Sequence, residues 1–138
     1  GWFCLQAINQ LENIKSGSEI KEFTISGTGK QVRDVLHASD LVDLYESAYR
    51  NKDSVSGKIF NIGGGISNSL SLLELFQILE NKLKIKKMHF KKLVRRKSDQ
   101  DFFVADISYV KSLINWEPKV SFLEGIDRMI TWTEIMRK

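Results

Sequence analysis

Phe60-Asn61-Ile62-Gly63-Gly64-Gly65-Ile66-Ser67-Asn68-Ser69-Leu70-Ser71-Leu72-Leu73-Glu74-Leu75 is the stretch that decides the fold. Lys58 to Ile62 reads as a strand that ends in three glycines. Ser71 followed by Glu74 is a capping box, in which each residue satisfies a backbone donor that the first helical turn leaves open. It predicts a helix through about Leu83. A strand, a glycine turn and a capped helix in succession point to a mixed α/β chain.

Working toward the N-terminus, Asp40 is expected to cap a helix ending near Arg50, with Leu41, Leu44, Tyr45 and Ala48 on one face. Gln31 to Leu36 and Glu22 to Ser26 read as extended pieces on either side of a Gly27-Thr28-Gly29 turn. Residues 2–15 place Phe3, Ala7, Leu11 and Ile14 on one helical face. Toward the C-terminus, Lys87 to Leu93 reads as a strand and Arg95 to Asp101 as a polar loop. Asp106 is expected to cap a short helix to Ile114, and Pro118 breaks whatever follows. Ser121 with Glu124 repeats the capping-box pattern and opens a last helix expected to bury Phe122, Ile126, Met129, Ile130 and Trp132. Trp116, beside Pro118, is expected to anchor that last turn. The expected fold is α/β, with mixed short strands and about five helices, and residues 1–138 are taken as a single domain.

Composition narrows the function. Cys4 is the one cysteine and His37 and His89 the two histidines, so neither a disulfide framework nor a zinc ligand set is expected. No apolar run approaches a membrane span, and the chain reads as soluble and cytoplasmic with no membrane partner. Gly1-Trp2-Phe3-Cys4-Leu5 is core-like from its first residue, so Gly1 is read as a boundary within a longer polypeptide. The formal charge of +4 is local: Lys82, Lys84, Lys86, Lys87, Lys91, Lys92, Arg95, Arg96 and Lys97 follow one another with no acid between them. Such a run attracts anions, whether phosphate, nucleic acid or acidic protein. Gly63-Gly64-Gly65-Ile66-Ser67-Asn68 departs from a dinucleotide fingerprint at its last position, and no acid follows about 20 residues on. It is better read as a connection that lets the backbone pass close to a neighbour. Tyr45, Tyr49 and Tyr109 are followed four residues later by Tyr49, Asp53 and Leu113, so no Tyr-x-x-x-Lys pair is present.

Several blocks in order carry a resemblance. They are Gly29-Lys30-Gln31-Val32-Arg33-Asp34-Val35-Leu36-His37 with Asp40-Leu41-Val42, then Phe60 to Gly65 and Asn68 to Leu75. Arg96-Lys97-Ser98-Asp99-Gln100, Phe103-Val104-Ala105-Asp106, Asn115-Trp116-Glu117-Pro118-Lys119-Val120 and Glu124-Gly125-Ile126 follow. Together they resemble the C-terminal half of the extended short-chain dehydrogenase/reductase family, in its NAD-dependent epimerase/dehydratase group. Asn68 to Leu75 and Ser98-Asp99-Gln100 resemble the CDP-tyvelose (CDP-paratose) 2-epimerases within it.

The resemblance implies the substrate-binding part of a Rossmann-type epimerase. NAD would be bound mainly by an N-terminal half absent from these residues, and this half would need no cofactor or catalytic residue of its own. The partners implied are a CDP- or UDP-sugar, the N-terminal half itself, and a homodimer. Arg33 and Arg96 match the family arginines that reach the substrate diphosphate, a task suited to a planar guanidinium that bonds phosphate with two charged N–H groups. A salt bridge from Arg33 to Asp34 or Asp40 is the structural alternative, and Arg95 is the alternative to Arg96. Asp99 either orients an arginine or a ribose hydroxyl, or is a turn acid. Val35 and His37 lie just after Arg33 and are candidates to line the base pocket, a structural role being the better reading for His37. A non-catalytic nucleotide-binding module, or a nucleic-acid binder acting through Lys82–Lys97, are the competing readings.

Overall fold

The computed structural model describes residues 1–136 of the 138. Among them are six α-helices and five short strands, whose contacts gather into two compact units. The first unit comprises residues 1–31 and 71–101 and the chain from Ile126 onward. The second comprises residues 32–70 and 102–125.

In the first unit, α1 (Trp2–Ser16) is followed by β1 (Phe23–Ser26), α4 (Leu72–Leu83), β4 (Phe90–Leu93) and most of α6 (Phe122–Met136). β1 and β4 run parallel with Phe23 opposite Phe90 and Ser26 opposite Leu93. Phe23 and Ile25 alternate inward, as a strand with one covered face requires. Phe23, Phe76 and Phe90 meet at ring-centroid distances of 4.9–6.1 Å, with Phe3 and Trp2 at the edge of the cluster. α1 ends as its sequence predicts, on Gly17 at φ 68°, a left-handed position that glycine adopts without cost. The α1 face is rotated from the expected one: Cys4, Ala7, Ile8 and Gln10 are buried, and Ile14 is exposed. Gln10 belongs inside because its amide bonds the backbone of Lys21 and both backbone groups of His89. The expected capping box at α4 is present, with Glu74 N–H donating to Ser71 Oγ and Ser71 N–H to Glu74 Oε2 at 2.7 Å.

The second unit holds β2 (Val32–Asp34), α2 (Ala38–Arg50), the single turn α3 (Lys52–Val55), β3 (Ser69–Ser71, less its last residue), β5 (Phe102–Phe103), α5 (Ser108–Ile114) and the first turn of α6. The strand order is β3-β2-β5, with β5 parallel to β2. Leu44, Val110 and Trp116 form the core, packed by Leu36, Leu41, Phe60, Ile107 and Ile114. Trp116 is 3% exposed and donates its indole N–H to Asp40 O at 3.2 Å, the anchoring role its sequence predicts.

Three expectations are corrected. Lys58 to Ile62 is not a strand: it is irregular, because a strand exists only through its ladder and this segment has none among the described residues. The α2 cap is His37, whose Nδ1 accepts from Ser39 N–H at 3.2 Å; Asp40 lies inside the first turn, buried. Tyr45 of α2 and Trp132 of α6 face outward at 64% and 56% exposure, since helical period places a residue on a flank without saying how far the core wraps around it. Asp106 does act at the start of α5, its carboxylate accepting from Ser108 N–H at 2.9 Å.

Candidate functional site

In the first unit the site candidates lie on the loop that leaves β4. Arg96 N–H donates to Ser26 Oγ at 3.3 Å, and Arg96 O accepts from Asp99 N–H at 3.1 Å, closing a turn. Arg95 is spent on that turn: it donates to Asp99 O at 2.5 Å and pairs with Asp101 at 2.9 Å. The Arg96 guanidinium is exposed and makes no hydrogen bond or ion pair among the described residues. Of these two neighbouring arginines, Arg95 shapes the loop and the Arg96 side chain extends into solvent. Asp99 is half-buried, and its Oδ2 accepts from Gln31 Nε2 at 3.1 Å. Gln31 lies within the Gly29 to His37 block, and its clue there is a polar side chain just past a glycine turn.

In the second unit Arg33 lies on β2 opposite Phe103 of β5, half-buried, with Nη1 donating to Val32 O at 2.7 Å. Asp34 follows it and, by strand alternation, points to the other face. There its Oδ2 accepts from Gly65 N–H at 3.1 Å and Ala105 N–H at 3.3 Å. Asp40 Oδ2 likewise accepts from Val120 N–H at 3.1 Å. Both carboxylates thus hold backbone amides of distant loops. Val35 is tied by its N–H to Asn68 O at 2.9 Å, leaving its side chain exposed. His37, besides capping α2, lies with its Nδ1 2.8 Å from Ser39 Oγ. Asn68, missed as a separate residue in the sequence, is buried and bonds both Val120 O and Phe122 N–H.

The glycine triplet is explained by these neighbours. A Cβ at Gly63 would lie 2.0 Å from Asp34 Oδ2, and one at Gly64 2.0 Å from Val35 O. The space beside both glycines is filled by the chain itself. A dinucleotide cradle needs that space open for pyrophosphate, and a helix starting at once; here the 3-10 turn Ile66–Asn68 and β3 intervene before α4. Gly63 to Gly65 therefore do not form such a cradle.

The second unit also bears a cavity of about 530 Å³ walled by Gly64, Gly65, Phe102, Asp106, Ile107 and Pro118 among others. Arg33, Val35 and His37 do not line it. Lys111 and Glu117 on its wall are paired with each other, and the Ser108 hydroxyl and N–H hold the Asp106 carboxyl below its ordinary range. Among the described residues no three acidic, histidine or cysteine side chains cluster as metal ligands, and no helix is long and apolar enough to cross a membrane.

A family model for GDP-mannose 4,6 dehydratase matches residues 3–129. CDP-paratose 2-epimerase from Salmonella typhi is 53% identical over 133 residues, 96% of this chain and 38% of that protein. UDP-glucuronate 4-epimerase from Thermodesulfobacterium geofontis is 34% identical over 84% of this chain and 34% of its own length. Among solved structures, UDP-glucuronic acid 4-epimerase from Bacillus cereus, crystallised with UDP-glucuronic acid and NAD, superposes with a TM-score of 0.75 over 95% of this chain and 40% of that one. At 24% identity that likeness speaks to the fold. UDP-glucose 4-epimerase from Thermotoga maritima, with UDP-glucose, gives 0.71 at 26% identity over 96% of this chain and 40% of that one. The chain thus spans under two-fifths of the curated relatives named here. It belongs to the GDP-mannose 4,6-dehydratase family, among the extended short-chain dehydrogenase/reductase epimerases and dehydratases, and corresponds to the C-terminal part of its longer members.

Proposed function

We propose that residues 1–138 form the nucleotide-sugar-binding part of an NAD-dependent epimerase acting on a CDP-linked sugar, with NAD and the proton-transfer groups supplied by residues outside this chain. The observation that carries the reading is the 53% identity with CDP-paratose 2-epimerase, which at 96% coverage takes in the Arg33 and Arg96 segments. Within the first unit, Arg96 projects from a loop whose backbone is fastened on both sides, and its charge is not consumed by a neighbouring acid among the described residues, which suits a phosphate ligand. Arg33 is held on a strand and half-buried, where a charged hydrogen bond to phosphate gains from the lower local dielectric. Asp99 orders the Arg96 loop, and the exposed Val35 and the His37 ring adjoin the Arg33 strand as candidates to contact the base. A cytoplasmic enzyme, working as a homodimer, is the setting this reading implies.

Calorimetric titration of the complete polypeptide with CDP and with cytidine tests it. CDP should bind more tightly than cytidine. Arg33→Ala and Arg96→Ala should each weaken CDP roughly 10- to 150-fold, the worth of one charged hydrogen bond, and leave cytidine nearly unchanged. CDP affinity that survives the loss of both arginines would show that the diphosphate is held elsewhere.

A further inference from the structure

Gln31 is the one described side chain that bonds both residues fastening the Arg96 backbone. Ser26 receives the Arg96 N–H, and Asp99 donates its N–H to the Arg96 carbonyl. Gln31 Nε2 reaches Ser26 O and Asp99 Oδ2, each at 3.1 Å. Its other end is fixed as well, because Gly29 N–H donates to Gln31 Oε1 at 3.0 Å. With Oε1 facing one backbone N–H and the Nε2 amide group facing a carbonyl oxygen and a carboxylate oxygen, only one orientation of the amide satisfies all three partners. The turn is shaped to admit it: a Cβ at Gly27 would lie 2.6 Å from Gln31 Nε2, and Gly27 holds φ 72°. Ser26 Oγ and Arg95 complete the clasp by bonding Val94 O and Asp99 O.

We propose that Gln31 is a positioning residue for phosphate recognition: its amide sets the Gly27–Gly29 turn against the Arg96–Asp99 turn and so fixes where the Arg96 guanidinium is presented. The proposal rests on the diphosphate-binding reading above. A long, exposed arginine on a loose loop must be ordered when it binds, and each immobilised side chain offsets part of its own affinity. A clasp that orders the loop in advance removes that cost only for ligands Arg96 touches.

The test is a double-mutant cycle read as the ratio of CDP to cytidine affinity on the complete polypeptide, with Gln31→Leu, Arg96→Ala and both together. Gln31→Leu should lower the ratio roughly 3- to 10-fold, a neutral hydrogen bond's worth, and do nothing further once Arg96 is gone. Equal losses for CDP and cytidine, or a full Gln31→Leu effect without Arg96, would reduce Gln31 to a structural residue and overturn the proposal. An Arg96→Ala variant with the parent's ratio would sink the diphosphate reading itself, a distinguishable result. If Gln31→Leu does not fold, Gln31→Glu compared with Gln31→Glu/Asp99→Asn carries the same test. Exchanging donor and acceptor restores the bond between the two side chains, and the ratio lost in the single variant should return at least in part; no recovery overturns the proposal.

Discussion

Gly64→Ala should destabilise the second unit far more than Gly57→Ala. The added methyl would lie 2.0 Å from Val35 O and 2.7 Å from Asn68 Cβ, so the backbone has to move by about 1 Å to reach normal contact. That movement separates the pair Val35 N–H and Asn68 O, now at 2.9 Å, and tilts Asn68 off Val120 O and Phe122 N–H. Overpacking costs about 1–3 kcal/mol and each of the three hydrogen bonds about 1 kcal/mol, so roughly 4–6 kcal/mol is expected. Gly57 supplies the control. It has nothing within 4 Å but adopts φ 71°, so Gly57→Ala carries only left-handed strain of about 1 kcal/mol. One glycine is required for space and the other for its backbone angle. Urea denaturation followed by tryptophan fluorescence separates them: Trp116 is the buried tryptophan of the three, so the blue-shifted emission reports the second unit. Equal midpoints for the two variants would refute the claim that contact, rather than conformation, fixes Gly64.

Two further outcomes follow from single contacts. Ser71 N–H, and then the Ser71 hydroxyl, hold the Glu74 carboxyl below its ordinary value of 4.5, so Glu74 contributes stability that is full above that pH and is lost as pH falls through its lower folded value. The melting-temperature gap between the protein and Glu74→Gln should therefore shrink between about pH 5 and pH 3, while Ser71→Ala should cost about 1 kcal/mol at neutral pH in thermal unfolding. Trp116→Phe should cost about 2–3 kcal/mol in the same urea titration, from lost volume in a packed core and a lost indole bond to Asp40 O.

What was legible in the sequence is what local chemistry dictates. Ser71 and Glu74 lie one helical turn apart and needed no tertiary information; neither did Gly17 at the end of α1. Asp40 misled because its type suits a cap, whereas its partner is Val120 N–H, eighty residues further along the chain. Lys58 to Ile62 has strand composition but no ladder, and composition cannot supply a neighbour. The same division runs through the site. The resemblance picked out Arg96 from a run of cations that charge alone cannot rank. Only the geometry shows that Arg95 is tied to Asp99 O and Asp101.

The polar side chains that sequence reading undervalued share one task. The strands have two to four residues, so their ladders satisfy few backbone groups, and the long connections between them must be satisfied otherwise. Gln10 serves Lys21 and His89; Asp34 serves Gly65 and Ala105; Asn68 serves Val120 and Phe122; Gln31 serves Ser26 and Gly29. Each substitutes for a strand neighbour by bonding two backbone segments at once. An amide or carboxylate does this at a fixed distance, whereas an aliphatic contact tolerates sliding. The loop that carries Arg96 is therefore placed by side-chain bonds more than by sheet or core, whereas Arg33 is placed by the β2–β5 ladder. Conservative changes such as Asn68→Asp or Gln31→Glu, which keep size and lose a donor, should therefore loosen these connections without opening a cavity in the apolar core.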